Sequence, residues 1–131
     1  MSKVLDAYAL MTYLEREEGF ETVKSLLTQS LKSGISLLMT SVNLGEVLYI
    51  TLRELGQDKT DEVVQIVENL PIEVVDVDMA LVREAAQIKA QNKMSYADCF
   101  AAALAKNRNL PVVTGDPEFN EISSEIDVLW L

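Results

Sequence analysis

The sequence contains no histidine and only one cysteine, Cys99. Without histidine, a Ser-His-Asp catalytic triad is excluded, and so is nearly every zinc site built from imidazole and thiolate ligands. A single cysteine cannot form an internal disulfide, which is typical of a protein from a reducing compartment. Acid–base or metal chemistry must therefore rely on carboxylates, hydroxyls, amides, lysine or tyrosine.

Long apolar runs and basic residues are also scarce. No apolar run approaches the roughly 18 residues of a membrane-spanning helix, and the N-terminus lacks the layout of a signal peptide. We therefore expect a soluble, cytoplasmic protein. Lysine and arginine number 11 against 21 acidic residues, so the formal net charge is −10. This charge argues against a passive nucleic-acid-binding protein, but not against an enzyme whose bound cations change the local sign.

Short apolar segments alternate with helical patterns along the chain. Apolar residues make up 49% of the 131 positions, which is enough for the core of one domain. Strands are predicted over residues 2–5, 36–40, 72–77, 111–114 and 126–131. Helices are predicted over residues 8–15, 20–31, 41–55, 60–70, 79–90 and 95–106, with a short turn at 118–122. The alternation predicts an α/β fold, with a central, mostly parallel sheet of about five strands between layers of helices. The strand order stays open.

Three aspartates lie at the joins between these elements. Asp6 ends the first strand, Asp98 lies near the start of an alanine-rich helix, and Asp116 follows the strand at 111–114. Each also suits a helix cap: Asp6 as an N-cap, Ser95-x-x-Asp98 as a capping box, and Asp116 as an N-cap followed by proline. Taken singly, each residue is explained by capping as well as by chemistry.

Glu46 is harder to explain as a cap, because it lies inside a helix among apolar residues. Arg53 is two turns away, so we expect a buried carboxylate that needs a partner or a metal. An interaction with Asn43 is the alternative. All four acids can be placed at the carboxyl edge of one parallel sheet, where their charges repel unless cations lie between them. Hard oxygen ligands suit Mg²⁺ or Mn²⁺, and one or two such ions could promote phosphodiester hydrolysis.

At this point the sequence resembles the PIN-domain ribonucleases, and among them the VapC-type toxins of toxin–antitoxin pairs. The resemblance covers essentially the whole chain and rests on V-L-D-A-Y-A-L, S-V-N-L-G-E-V-L-Y, M-S-Y-A-D-C-F-A-A-A-L-A and V-V-T-G-D-P-E-F, in that order. It implies a single PIN domain over residues 1–131 with a flavodoxin-like α/β/α fold. It also implies RNA cleavage, a homodimer, and a small VapB-like antitoxin that places a basic side chain in the acidic pocket. One departure is Ala7, where many relatives carry a hydroxyl residue.

The resemblance also implies roles for individual residues. The implied catalytic residues, which are also the Mg²⁺ or Mn²⁺ ligands, are Asp6, Glu46, Asp98 and Asp116. The implied supporting polar residues are Asn43, Ser95 and Thr114. In the implied mechanism, water attacks an RNA phosphodiester in line and displaces the 3′ oxygen, which leaves a 5′ phosphate and a 3′ hydroxyl. Glu46 helps to hold the ion and orients the water or a second ion.

Two other functions are open at this level. One is a catalytically silent PIN-like module that binds a partner chain. The other is a phosphotransfer domain, which the sequence disfavours because Tyr8 stands where a haloacid-type phosphatase needs a second aspartate. Tyr8, Tyr49 and Tyr96 lie near the acids in sequence and are candidates for stacking on bases, with core or rim positions as the alternative.

Overall fold

The computed structural model describes residues 1–131 and contains one sheet with helices on both faces. The strands are β1 (Val4–Leu5), β2 (Leu37–Thr40), β3 (Ile72–Val75), β4 (Val112–Thr114) and β5 (Val128–Trp130). The α-helices are α1 (Ala7–Glu15), α2 (Phe20–Ser33), α3 (Ser41–Leu55), α4 (Gln57–Glu68), α5 (Met79–Gln91) and α6 (Tyr96–Arg108). A 3₁₀ helix spans Pro117–Ile122. The predicted α/β fold is confirmed, and every strand pair is parallel.

The strand order is β3-β2-β1-β4-β5, so β1 lies at the centre of the sheet. From β1 the chain moves outward through β2 and β3, and it then returns to the other side of β1 as β4. Leu5 is paired with Val113, so the residues that follow β1 lie beside the end of β4. Ligands of open α/β sheets bind outside the carboxyl ends of the strands at such a reversal of order. The topology thus gathers the residues after β1 and β4 at one crevice.

Alternate residues of the central strands enter opposite cores, as the two-residue period of a strand requires. Val4, Leu38 and Val112 pack with α5 and α6, whereas Leu5 and Val113 pack with α1 and α2. β1, β2 and β4 are buried along their whole length, which explains why they are short continuous apolar runs. No helix is both long enough and apolar enough to cross a lipid bilayer.

Helix α6 has more buried residues than any other helix, as its alanine-rich sequence predicts. Its buried residues run without interruption from Asp98 to Ala105. Small side chains allow the helix to approach the sheet closely on one side and α5 on the other. The start of α6, which carries Asp98, is therefore held by the packed core rather than by a surface loop.

The predicted element bounds differ from the observed ones by no more than three residues. The largest difference is at α4, which begins at Gln57 rather than at Thr60. Gly56, with φ of 89°, alone separates α3 from α4, because a positive φ reverses the chain within one residue. The Thr60 hydroxyl donates to the Gly56 carbonyl from within the first turn, so Thr60 supports the helix start without being its cap.

Asn43, predicted as a supporting residue of the site, links two helices instead. Its amide Nδ2 donates to the Ala97 carbonyl at 3.0 Å and thereby joins α3 to the start of α6. Its backbone N–H donates to the Thr40 hydroxyl at 3.0 Å, which caps α3. The side chain is fully buried and is not among the residues that line the crevice. Asn43 therefore positions Glu46 and Asp98 from outside the site.

The Thr40 hydroxyl also donates to the side-chain oxygen of Asn43. Replacing Asn43 by alanine should lower the free energy of unfolding by about 1–3 kcal/mol, because the Thr40 hydroxyl loses this acceptor and the Ala97 carbonyl loses its donor. Urea denaturation measures this change. Asn120→Ala, at an exposed position of the 3₁₀ helix, is the control and should change stability by less than about 0.5 kcal/mol. Equal effects of the two substitutions would contradict the bridging role of Asn43.

Candidate metal centre

Asp6 is buried directly at the carboxyl end of β1, with 1% of its surface exposed. One carboxylate oxygen accepts the Ala9 backbone N–H at 2.8 Å, so Asp6 is the N-cap of α1. The other oxygen accepts a hydrogen bond from the Thr114 hydroxyl at 2.5 Å. The Asp6 carboxylate thus accepts two hydrogen bonds, has no basic side chain as a partner and has almost no access to water. Its negative charge is therefore poorly compensated.

Thr114 joins this carboxylate to the next strand. Its hydroxyl donates to Asp6 and accepts the Asp116 backbone N–H at 2.9 Å. Asp116 in turn accepts the Glu118 backbone N–H at 2.9 Å and caps the 3₁₀ helix. A chain of hydrogen bonds thus fixes the backbone after β4 relative to the end of β1.

Asp98 is 6% exposed and begins the buried part of α6. The predicted capping box forms only in part. Ser95 caps the helix by accepting the Asp98 backbone N–H at 3.2 Å, but the Ser95 N–H donates to Glu118 at 2.7 Å. Glu118 therefore performs the second half of the capping box, and the Asp98 carboxylate is available for other ligands.

Glu118 was not predicted as a site residue, yet it completes a compact group of three acids. Single carboxylate oxygens of Asp98, Asp116 and Glu118 all lie within 4.8 Å of one another. The available sequence signal was an acid two residues after Asp116, in the first turn of the 3₁₀ helix. That position is equally typical of a helix start, so the sequence alone did not separate the two roles.

The expectation that Glu46 is buried is wrong. Glu46 is partly exposed on α3 and lines the same crevice as Asp98 and Asp116. Helical periodicity placed it among apolar neighbours along the chain, but α3 turns this side toward the crevice rather than the core. The uncompensated buried carboxylates are Asp6 and Asp98, and the physical case for a cation rests on them.

Burial, and then repulsion from neighbouring acids, raise the pKa values of three of the acids. Burial is the main cause and raises the pKa of Asp6 from 3.8 to about 7, against the opposing hydrogen bonds from Thr114 and Ala9. Burial and then the charge of Asp116 raise the pKa of Asp98 to about 8. The pKa of Glu46 is also raised, first by desolvation and then by the charges of Asp116 and Glu118. The three shifts have the sign expected of clustered carboxylates that are partly removed from water.

A crevice of about 420 Å³ opens over this cluster. No lysine or arginine is among the residues that line it, which are Ala7, Tyr8, Met11, Thr12, Glu15, Glu17, Glu46, Ile50, Ser95, Asp98, Asp116 and Glu118. Asp6 is buried and does not line the crevice, but its charge acts on Asp98 from within the protein. The structure thus brings together all four predicted acids, adds Glu118, and leaves Asn43 outside.

The donor set suits a hard divalent cation. Oxygen atoms on opposite sides of Mg²⁺ are separated by about 4.2 Å, twice the usual ligand distance, and by about 5 Å around Ca²⁺. Asp98, Asp116 and Glu118 each offer a carboxylate oxygen within 4.8 Å of the other two, so one ion could contact all three. A cation would also offset the desolvation and repulsion that raise the acids' pKa values. The residues present therefore fit such an ion.

A sequence model of the PIN domain matches residues 3–125. The chain belongs to the PIN domain family. No curated protein sequence matches it.

Solved structures of the same fold include toxin–antitoxin proteins. The chain is similar to one in DNA-bound VapBC from Salmonella typhimurium, with 25% identity, 98% of each chain covered and a TM-score of 0.74. It is similar to VapC20 from Mycobacterium tuberculosis, a toxin that cleaves the sarcin-ricin loop, with 15% identity, 91% and 93% coverage and a TM-score of 0.74. VapBC2 from Rickettsia felis, bound to promoter DNA, gives 12% identity, 100% and 99% coverage and a TM-score of 0.78. The predicted resemblance to VapC-type PIN domains is confirmed.

Without divalent ions, stability should fall as the pH rises from about 4 to about 8. In this range the folded protein retains protons on Asp6 and Asp98 that the unfolded chain has already released, so rising pH favours unfolding. Urea denaturation in EDTA at several pH values measures the slope. Adding Mg²⁺ or Mn²⁺ should stabilise the protein more at pH 8 than at pH 5.

Asp98→Asn should flatten this pH dependence, because an amide cannot titrate. Asp76→Asn, at an exposed position after β3, is the matched control and should leave the slope unchanged. A metal-free protein that becomes more stable between pH 5 and pH 8 would contradict the assigned shifts.

Proposed function

We propose that residues 1–131 form a single PIN domain that acts as an Mg²⁺- or Mn²⁺-dependent endoribonuclease. The observation that carries this proposal is the pair of buried, uncompensated carboxylates, Asp6 and Asp98, at a crevice that contains further acids and no basic residue. A fold needs no such arrangement for stability, since each buried charge weakens it. Membership of the PIN family supports nuclease chemistry at this crevice.

Each acid has a distinct part in the proposed site. Asp98, Asp116 and Glu118 would hold the divalent ion, and Asp6 contributes negative charge from within the protein while it orients Thr114. A bound ion would supply positive charge that activates water and offsets negative charge on the phosphate. Glu46, partly exposed and with a raised pKa, orients the water and accepts its proton at a carboxylate oxygen.

The proposed reaction is hydrolysis of one phosphodiester bond. The water oxygen forms a bond to phosphorus, and the bond from phosphorus to the 3′ oxygen of the preceding ribose breaks. The departing oxygen takes a proton from solvent. The products carry a 5′ phosphate and a 3′ hydroxyl, and Glu46 returns its proton to solvent before the next turnover.

We propose further that the protein is a VapC-type toxin that acts in the cytoplasm as a homodimer. The similarity to VapBC from Salmonella typhimurium supports a small VapB-like antitoxin as its partner. Charge supports it as well, because an acidic crevice is complementary to a basic side chain of a partner. Light scattering after size-exclusion chromatography tests the dimer, and copurification with the product of the adjacent reading frame tests the partner.

Replacing Asp6 or Asp98 by asparagine should reduce RNA cleavage by about 100-fold or more, because charge stabilisation by a bound cation supplies several kcal/mol. Glu118→Gln should weaken metal binding by about 10-fold or more. Cleavage of an RNA panel with Mg²⁺ or Mn²⁺ measures the first effect, and calorimetric titration with Mn²⁺ measures the second. Asp76→Asn is the control and should keep full activity.

Two results would count against this assignment. Metal-dependent cleavage that survives Asp6→Asn at the wild-type rate would show that the reaction occurs elsewhere. A folded, metal-loaded wild-type protein that cleaves no RNA would instead favour the catalytically silent partner-binding module.

A further inference from the structure

The crevice has an apolar side as well as acids. Four apolar side chains line it: Ala7, Tyr8 and Met11 from α1, and Ile50 from α3. Tyr8 is 45% exposed, and the neighbouring Ala7 is buried. An aromatic ring with nearly half its surface in solvent, at the mouth of an acidic crevice, is a suitable surface for a flat apolar group.

The position of the Tyr8 ring is fixed by Gly115. A Cβ atom at residue 115 would lie 2.3 Å from Cε1 and 2.6 Å from Cζ of Tyr8, so the ring lies directly on the glycine backbone. The φ angle of Gly115 is not positive, so its backbone conformation does not require glycine. Glycine is required because a side chain would collide with the Tyr8 ring. Because residue 115 immediately precedes Asp116, the ring is held beside the proposed metal ligands.

Charge in the crevice restricts how RNA could be held there. Six carboxylates line it, and no lysine or arginine does. Glu15 and Glu17 are exposed at its rim, where they repel phosphates. Contacts to the bases or riboses must therefore contribute much of the affinity that phosphate contacts supply in most nucleic-acid-binding proteins.

We propose that Tyr8 positions the substrate, its ring being a stacking platform for an unpaired nucleobase next to the scissile phosphate. This inference rests on the proposed nuclease function and adds a residue that positions its substrate. A base in a duplex has both faces covered by its neighbours, so it cannot stack on Tyr8 without leaving the helix. Tyr8 is a positioning residue that acts on binding rather than on the reacting atoms.

The test measures binding separately from cleavage. Fluorescence anisotropy with a labelled 12-nucleotide single strand, in Ca²⁺, gives Kd for the wild type and its variants. Ca²⁺ uses the same oxygen ligands as Mg²⁺. Tyr8→Ala should raise Kd by roughly 5- to 150-fold, the loss expected for one stacked base. Tyr8→Phe should bind within about twofold of the wild type, because it keeps the aromatic face.

Two further variants separate stacking from packing. Tyr8→Leu fills the apolar wall without an aromatic face, and it should bind as weakly as Tyr8→Ala while remaining as stable as the wild type. Tyr49→Ala removes a tyrosine that is at least as exposed as Tyr8 but does not line the crevice, and it should leave Kd unchanged. A duplex of the same length should bind more weakly than the single strand, with no dependence on Tyr8.

Kinetics provide the second readout. In Mn²⁺, Tyr8→Ala should raise KM and leave kcat within a few-fold of the wild type. The stacking proposal would be overturned if Tyr8→Ala or Tyr8→Leu bound the single strand with the wild-type Kd. It would also be overturned if the wild-type protein bound no single strand. A wild type that binds single strands through Tyr8 but cleaves none would support the platform and overturn only the nuclease proposal.

Discussion

The hydrogen bond from Thr114 to Asp6 joins β1 and β4, the neighbouring parallel strands at which the strand order reverses. Asp6 ends β1 and Thr114 ends β4, and the segment that carries Asp116 and Glu118 is positioned from this contact. The Thr114 hydroxyl also accepts the Asp116 backbone N–H, so the same oxygen atom holds the backbone where it enters the 3₁₀ helix. A valine at this position would have the same shape but could neither donate nor accept, and the buried carboxylate would lose one of its two donors.

Capping and chemistry are performed by the same groups in this fold. Asp6, Ser95 and Asp116 each cap a helix, and each lies in or directly beneath the crevice. Helix N-termini expose unpaired N–H groups and carry partial positive charge, which favours nearby carboxylates before any cation binds. The cap offsets part of the repulsion among the acids, and the raised pKa values of Asp6 and Asp98 show that it does not offset all of it.

Local sequence signals were sufficient for the fold class and for three of the acids. Asp6, Asp98 and Asp116 lie at element boundaries, and boundaries depend on caps, prolines and changes of period that are visible over a few residues. The strand order was not predictable, because pairing of β1 with β4 joins residues more than a hundred positions apart. The exposure of Glu46 was misjudged for the same reason: the period of a helix identifies its faces but not what covers each one.

The amide of Asn43 lies three residues before Glu46 in α3, and its acceptor, Ala97, immediately precedes Asp98 in α6. The spacing between these two acids is thus maintained by a bond between neutral groups, donated by an amide that is fully buried. Protonation or ion binding changes the charge of the crevice, but the Asn43 amide and the Ala97 carbonyl do not titrate. The distance between α3 and the start of α6 therefore does not depend on whether the acids are protonated or bind an ion. The shape of the crevice can stay constant while its electrostatic potential changes.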